Sequence, residues 1–318
     1  MRDDLRMTVM VLGANGFIGP HIVAALEEKT EIVAVSRRGT GPHGVAADRS
    51  DVRAIRKLVR ERRATEVVDL LARTEADTLP LLETLDGEVG RYVLASSCDV
   101  YRNYEGLHGH ASGPPIEGLL AEGSPLRTRL YPYRTDPPRD PAAADAWMDA
   151  YDKLPLEQAL LERPGLGGTV MRLPMVFGPG DKQRRFRWCL APMFADAEHI
   201  EADAGWLGFR STFGYVADIG DALATAALRP AASGHVFNLG REGLGDNRAW
   251  LARFAAALGW RGEVRAAPSP PDGPLAGLDL SYPLTIDCRA FRNACAWTEP
   301  MSLDDALAAT IADERGRG

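Results

Sequence analysis

Thr8-Val-Met-Val-Leu12-Gly13-Ala-Asn-Gly16-Phe-Ile-Gly19-Pro-His-Ile-Val-Ala-Ala-Leu26 is the stretch that decides the fold. Thr8–Leu12 is a short apolar run that predicts a strand. Phe17–Glu28 repeats Ile18, Ile22, Ala25 and Leu26 at helical spacing. Between strand and helix stand Gly13, Gly16 and Gly19. Glycines there permit a tight turn and close backbone approach to a pyrophosphate, which the free amides of a helix start then hold. A turn without a ligand is the competing reading, but the flanking elements supply the context a dinucleotide site needs. Gly13, Asn15, Gly16, Phe17, Ile18 and Gly19 are therefore the expected cofactor contacts.

Outward from the turn, Glu31–Val35 reads as a second strand running into Ser36-Arg37-Arg38. A carboxylate at such a strand end would suit the free ribose hydroxyl of NAD. A hydroxyl and two guanidinium groups suit a 2′-phosphate, so NADP(H) is expected, with NAD as the alternative. Asp48 reads either as an adenine contact or as a helix N-cap. Further on, helices are expected over 51–62 and 78–85 and strands over 66–71 and 91–95. The alternation predicts an α/β fold: a Rossmann-like doubly wound parallel sheet with a smaller C-terminal lobe. The expected dinucleotide-binding domain is 1–175 and the lobe 176–318, with 211–240 returning to the first domain. Residues 102–146 are rich in Gly, Pro, Arg and Asp without a period and predict a loop over the active site. Trp147–Glu162 is expected to be one helix, 169–173 a strand, 217–228 a helix, 235–239 a strand and 248–258 a helix.

The 318 residues are 45% hydrophobic and carry a formal charge of −7, which argues against nucleic-acid or membrane-surface partners. Cys98, Cys189, Cys288 and Cys295 lack metal or redox spacing. No metal site, signal peptide or membrane span is expected, and a cytoplasmic protein with reduced thiols is.

Further motifs accompany the glycine turn: Ser96-Ser97-Cys98-Asp99-Val100-Tyr101, Lys153 followed by Glu157, Arg172-Leu-Pro-Met-Val-Phe-Gly178-Pro-Gly-Asp181, Tyr215-Val-Ala-Asp218 and Val236-Phe-Asn-Leu-Gly240. Together they resemble the extended short-chain dehydrogenase/reductase family, of the NAD-dependent epimerase/dehydratase type. The resemblance implies an oxidoreductase or epimerase acting at a hydroxyl or keto carbon of a polar small molecule such as a nucleotide sugar. It also implies Ser97 as the hydroxyl on the substrate oxygen and Lys153 as the lysine at the nicotinamide ribose. Relatives commonly dimerise through two helices of the dinucleotide domain, so a homodimer is the implied assembly.

The tyrosine that the family places four residues before this lysine is here Asp149. On a continuous helix Asp149, Lys153 and Glu157 share a face, and Tyr151 points away. Three readings are open. Asp149 serves as the base; or the acid–base group is Asp99, Cys98, Tyr101 or one of Tyr104, His108, His110, Tyr131 and Tyr133; or the protein binds cofactor without turnover, as a sensor or scaffold. Cys98 and Asp99 align with the acidic pair of related dehydratases, of which only Asp99 keeps an acid. On the substrate side, Cys98, Arg185, Arg187 and Arg210 are the expected contacts, the arginines meeting a diphosphate or carboxylate.

Overall fold

The parallel sheet is built outward from the strand that the glycine turn follows. In the computed structural model, which describes residues 7–110, 113–268 and 275–317, β1 (Thr8–Leu12) pairs with β2 (Glu31–Ser36), and β2 carries β3 (Gly44–Ala46) at the edge. On its other side β1 pairs with β4 (Glu66–Asp69), followed by β5 (Arg91–Ser97) and β6 (Thr169–Leu173). The chain then leaves the sheet. β7 (Met175–Phe177) pairs with β9 (Phe213–Tyr215), and β8 (His199–Asp203) with β11 (Glu263–Ala267). β10 (Val236–Asn238) returns beside β6, which gives the seven-stranded order β10-β6-β5-β4-β1-β2-β3. All its pairings are parallel, and the sheet is Rossmann-like.

Side chains alternate between two cores, as a sheet covered on both faces requires. Val9 and Val11 pack with α1 (Gly19–Leu26) and, further along the chain, with the helix Val216–Leu228. Met10 and Leu12 pack on the other face with α2 (Val52–Arg62), α3 (Glu75–Leu85) and the helix Leu154–Leu161. In chain order the remaining helices are α4 (Arg102–Leu107), α5 (Leu154–Leu161), α6 (Arg187–Phe194), α7 (Ala204–Gly208), α8 (Val216–Leu228), α9 (Asn247–Leu258), α10 (Arg289–Cys295) and α11 (Leu303–Gly316).

Several expectations need correction. β4 stops at Asp69 rather than running to Leu71, because the Asp69 carboxylate accepts the Leu71 amide at 2.9 Å and turns the chain. α3 starts at Glu75, not Thr78, set by a reciprocal cap between Thr74 and Asp77. Asp48 is not the cap of α2; Asp51 is, accepting from the Ala54 amide at 3.0 Å. The stretch after Tyr101 opens with α4. From residue 113 to 145 the chain is irregular but firmly tied down: Arg127, 4% exposed, pairs with Asp152, 1% exposed.

The expected helix over 147–162 is broken. Ala146–Ala150 forms a 3-10 turn, Tyr151 is extended at φ −67° and ψ 127°, and α5 begins at Leu154. Pro155 explains the break. A helix running through it would press its ring against the Tyr151 carbonyl and lose that carbonyl's hydrogen bond, whereas a proline in the first turn costs nothing.

Candidate active site

In the glycine turn, Gly13 takes φ +95°, which side chains rarely adopt. A Cβ on Gly19 would stand 2.4 Å from the carbonyl oxygens of Gly13 and Ala14. The turn therefore depends on both glycines, and they leave α1 starting directly at a backbone cradle that fits a pyrophosphate. Gly19→Ala is expected to displace the turn and weaken dinucleotide binding at least tenfold, read by fluorescence titration; unchanged affinity would remove the cradle from the site. Asn15 donates through Nδ2 to Thr40, and Phe17 and Ile18 pack on the core. At the end of β2, Ser36 Oγ accepts the Gly39 amide at 3.0 Å, and Arg37 and Arg38 are exposed. Asp48 accepts both the amide and the hydroxyl of Ser50, which with Arg37 hold its carboxyl below the usual range.

A second group of candidate residues lies at the C-terminal tips of β4 and β5, where doubly wound folds bind their ligands. Ser97 ends β5, and its hydroxyl accepts the Asp99 amide at 3.2 Å. Asp99 is 2% exposed. Its Oδ2 accepts hydrogen bonds from Tyr133 and Tyr151, each at 3.1 Å, while Oδ1 has no hydrogen-bond partner among the described residues. Burial pushes the Asp99 carboxyl up, against the pull of Arg127, Lys153 and the two phenols. Burial together with Asp99 raises the Tyr151 phenol well above its ordinary value. Lys153 Nζ sits 5.6 Å from the Tyr151 ring centre and donates to the carbonyls of Ala72 and Ala95, the latter at 2.8 Å. Burial lowers this ammonium to about 8. Cys98 beside them is buried, which pushes its thiol up to about 12 and leaves it a poor nucleophile.

Aromatic contacts close this centre. Tyr133 meets Tyr151 edge-on at 5.1 Å and Tyr104 at 6.1 Å; Tyr104 lies on His108, and Trp147 packs on Tyr151 beneath the Arg73 guanidinium.

Asp149 stands apart from this group. Its carboxylate accepts the amides of Thr135, at 3.1 Å, and Arg139, at 2.6 Å, and pairs with the Arg139 guanidinium. Desolvation opposes these partners, yet they hold its carboxyl below the usual range. The helical face expected for Asp149, Lys153 and Glu157 does not exist, because α5 begins after Lys153. Glu157 instead accepts from Ser96 and forms a buried pair with Arg172. Tyr131 reaches Glu75 at 3.2 Å, and Tyr101 donates to Asn238 at 2.6 Å, so both serve other contacts. Tyr151, which helix geometry would turn away from the site, is brought into it. Pro155 is the signal for this: it bars a continuous helix through residue 151.

The sequence model of the NAD dependent epimerase/dehydratase family matches residues 9–118. This segment spans the glycine turn and the Ser97–Asp99 strand end. The resemblance to extended short-chain dehydrogenases/reductases is borne out. No curated protein matches the chain. Among solved structures, dTDP-glucose 4,6-dehydratase of Bacillus anthracis in complex with NAD shares 16% identity over 98% of this chain and 97% of its own, with a TM-score of 0.67. UDP-glucose 4-epimerase of Thermotoga maritima with UDP-glucose shares 18% over 98% and 99%, also at 0.67. UDP-glucuronic acid 4-epimerase of Bacillus cereus, with UDP-glucuronic acid and NAD, shares 17% over 98% and 100%, again at 0.67.

The expected substrate arginines are partly engaged elsewhere. Arg185 Nη1 donates to the Val176 carbonyl at 2.8 Å and to Asp181 at 2.9 Å, and its charge is felt at Cys98. Arg187 stands 3.8 Å from Glu314 on α11, and Arg210 pairs with Glu117 at 3.4 Å on the surface. Among the described residues no helix is long and apolar enough to cross a membrane, and no group of three or more metal-ligating side chains gathers. All four cysteines are free and buried.

Proposed function

We propose that the protein is an NADP(H)-dependent oxidoreductase or epimerase acting at a hydroxyl or keto carbon of a nucleotide sugar, with Tyr151, Ser97 and Asp99 handling the proton. The observation that carries this reading is the Tyr151 phenol donating at 3.1 Å to the buried Asp99 carboxylate, which follows Ser97 at the tip of β5. The family match and the nucleotide sugars bound by the epimerase structures support the substrate class. A bound nicotinamide dinucleotide supplies the two-electron chemistry. Ser97 and Tyr151 orient the substrate oxygen, and Tyr151 exchanges a proton with it. When the substrate hydroxyl releases its proton to Tyr151, the Tyr151 proton passes along the existing hydrogen bond to Asp99; the reverse direction returns it. The raised carboxyl of Asp99 brings it closer to the phenol it serves than an exposed aspartate would be. Lys153 fixes the β4–α3 and β5 backbones around the nicotinamide ribose position.

Ser36, Arg37 and Arg38 favour the 2′-phosphate. The test is a panel of UDP- and dTDP-sugars with each cofactor, followed by absorbance at 340 nm and by product analysis. Turnover with NADP(H), and an NADP(H) affinity that falls roughly tenfold or more in Arg37→Ala/Arg38→Ala while NAD(H) binding holds, are expected. Tighter NAD(H) binding by the unaltered protein would reverse the cofactor assignment. A cofactor-binding sensor without turnover is the second reading, favoured by the Lys153 ammonium being taken up by two backbone carbonyls. A panel with cofactor bound and no product formed would select it.

A further inference from the structure

Tyr133 belongs to the irregular stretch after α4, and no family motif includes it. Yet its hydroxyl ends 3.1 Å from the same carboxylate oxygen that receives Tyr151. We propose that Tyr133 is a positioning residue for the reaction, delivered by this stretch, that holds Asp99 Oδ2 in place and steadies its charge while Tyr151 gives up or takes back its proton. The inference rests on the proposed role of Tyr151 and Asp99 and extends it to a residue outside the sheet.

Three observations build it. The stretch is anchored on both sides of Tyr133: by the buried Arg127–Asp152 pair before it, and by the Arg139 guanidinium, which donates to the Tyr133 carbonyl at 2.8 Å and pairs with Asp149, after it. Its ring is wedged between Tyr104 and Tyr151, so the hydroxyl is aimed rather than free to rotate away. And Asp99 has one oxygen taken by two phenols and the other without a partner among the described residues. A buried carboxylate so placed relies on those phenols for most of its solvation.

The chemistry turns on this shared oxygen. In oxidation, Asp99 Oδ2 receives the proton that Tyr151 passes on, and the neutral acid then depends less on the Tyr133 hydrogen bond. In reduction, Tyr151 protonates the substrate oxygen and draws a proton from Asp99, which leaves a carboxylate. Tyr133 keeps its own proton throughout and donates its hydrogen bond to that carboxylate. The groups facing Asp99 are Tyr133 and Tyr104 from the stretch after β5, Tyr151 and Lys153 from the segment before α5, Arg127, and its neighbour Cys98. Among the described residues only the two phenols donate to its carboxylate side chain; Arg127 Nε donates to the Asp99 backbone carbonyl at 3.0 Å.

Tyr133→Phe keeps the ring and removes the hydroxyl. The test follows the Asp99 carboxyl carbon by NMR during a pH titration of the full chain, with Asp99→Asn assigning the signal and no substrate present. The expected result is an Asp99 titration moved upward by roughly one pH unit in Tyr133→Phe, with thermal stability and dinucleotide affinity retained. An Asp99 titration that stays in place overturns the inference, even if Tyr151 proves essential for turnover. If Tyr133→Phe fails to fold, Tyr133→3-fluorotyrosine keeps the hydroxyl while lowering its pKa. Strengthened donation should then move the Asp99 titration downward, and an unmoved titration overturns the inference equally. Because this readout needs no substrate, a negative sugar panel would sink the proposed function and leave this result standing.

Discussion

Tyr151→Phe is expected to lower kcat by roughly 10²- to 10⁴-fold, the usual contribution of a positioned proton donor, while dinucleotide affinity stays within about twofold. Asp149→Asn is expected to leave kcat nearly unchanged. The contrast comes from the contacts of each side chain. The Tyr151 hydroxyl donates to Asp99 at the strand tip, and removing it leaves the ring packed against Tyr133 and Trp147. The Asp149 carboxylate faces the amides of Thr135 and Arg139 and the Arg139 side chain, all within the irregular stretch. An amide side chain keeps an acceptor for those bonds, so Asp149→Asn costs local stability more than chemistry. Steady-state kinetics on whichever nucleotide sugar is turned over, with product analysis, decides the matter. Loss of turnover in Asp149→Asn with retention in Tyr151→Phe would exchange the two roles.

The second large effect concerns stability. Arg127→Met should destabilise the protein by about 3–5 kcal/mol, because it leaves the buried Asp152 carboxylate without its cation. Arg127 and Asp152 are 4% and 1% exposed, so water offers little compensation. Asp152 also accepts the Tyr131 amide at 2.7 Å and the Leu154 amide at 2.9 Å, which ties the irregular stretch to the start of α5. For a chain of this size the melting temperature should fall on the order of 10 °C. Adding Asp152→Asn to Arg127→Met removes the stranded charge and keeps an acceptor, so the double variant should regain part of the loss. Calorimetry on the three proteins checks both statements. A single variant that melts within a degree or two of the parent would show that the pair contributes little.

The fold was legible because its determinants are local. Thr8–Leu12, the three glycines and the periodic apolar positions of α1 each have one conformational solution, and the alternation beyond them has one sheet type. Expectations strayed at element ends, where a side chain bonds the backbone: Asp69 shortened β4, and Thr74 with Asp77 started α3 early. In the candidate site, Ser97 and Lys153 were legible through the family resemblance and Asp99 as an acid just past the strand end, although Lys153 was expected inside a helix that in fact begins after it. Tyr151 was not, since spacing on an assumed helix outweighed the proline that prevents that helix. Tyr133 appeared only as one of several polar residues in an aperiodic stretch. Its meeting with Asp99, 34 residues away, depends on the Arg127–Asp152 pair, and pairings between distant buried charges leave no periodic trace in a sequence.

The far end of the chain bears on the glycine turn from the outside. The Gly180 amide donates to Asp313 on α11 at 3.2 Å, Arg184 pairs with Glu314, and Arg317 donates to the Asp181 carbonyl at 2.8 Å. A side chain added at Gly180 would come within 3.5 Å of the Phe17 ring, inside the glycine motif. The last helix thus braces the turn beside the glycine motif proposed to hold the dinucleotide. In a random-mutagenesis screen, substitutions at Asp313 or Glu314 would therefore present as cofactor-loading defects. A map drawn along the sequence would file them, 130 or more residues from the segment they support, as faults of a remote terminus.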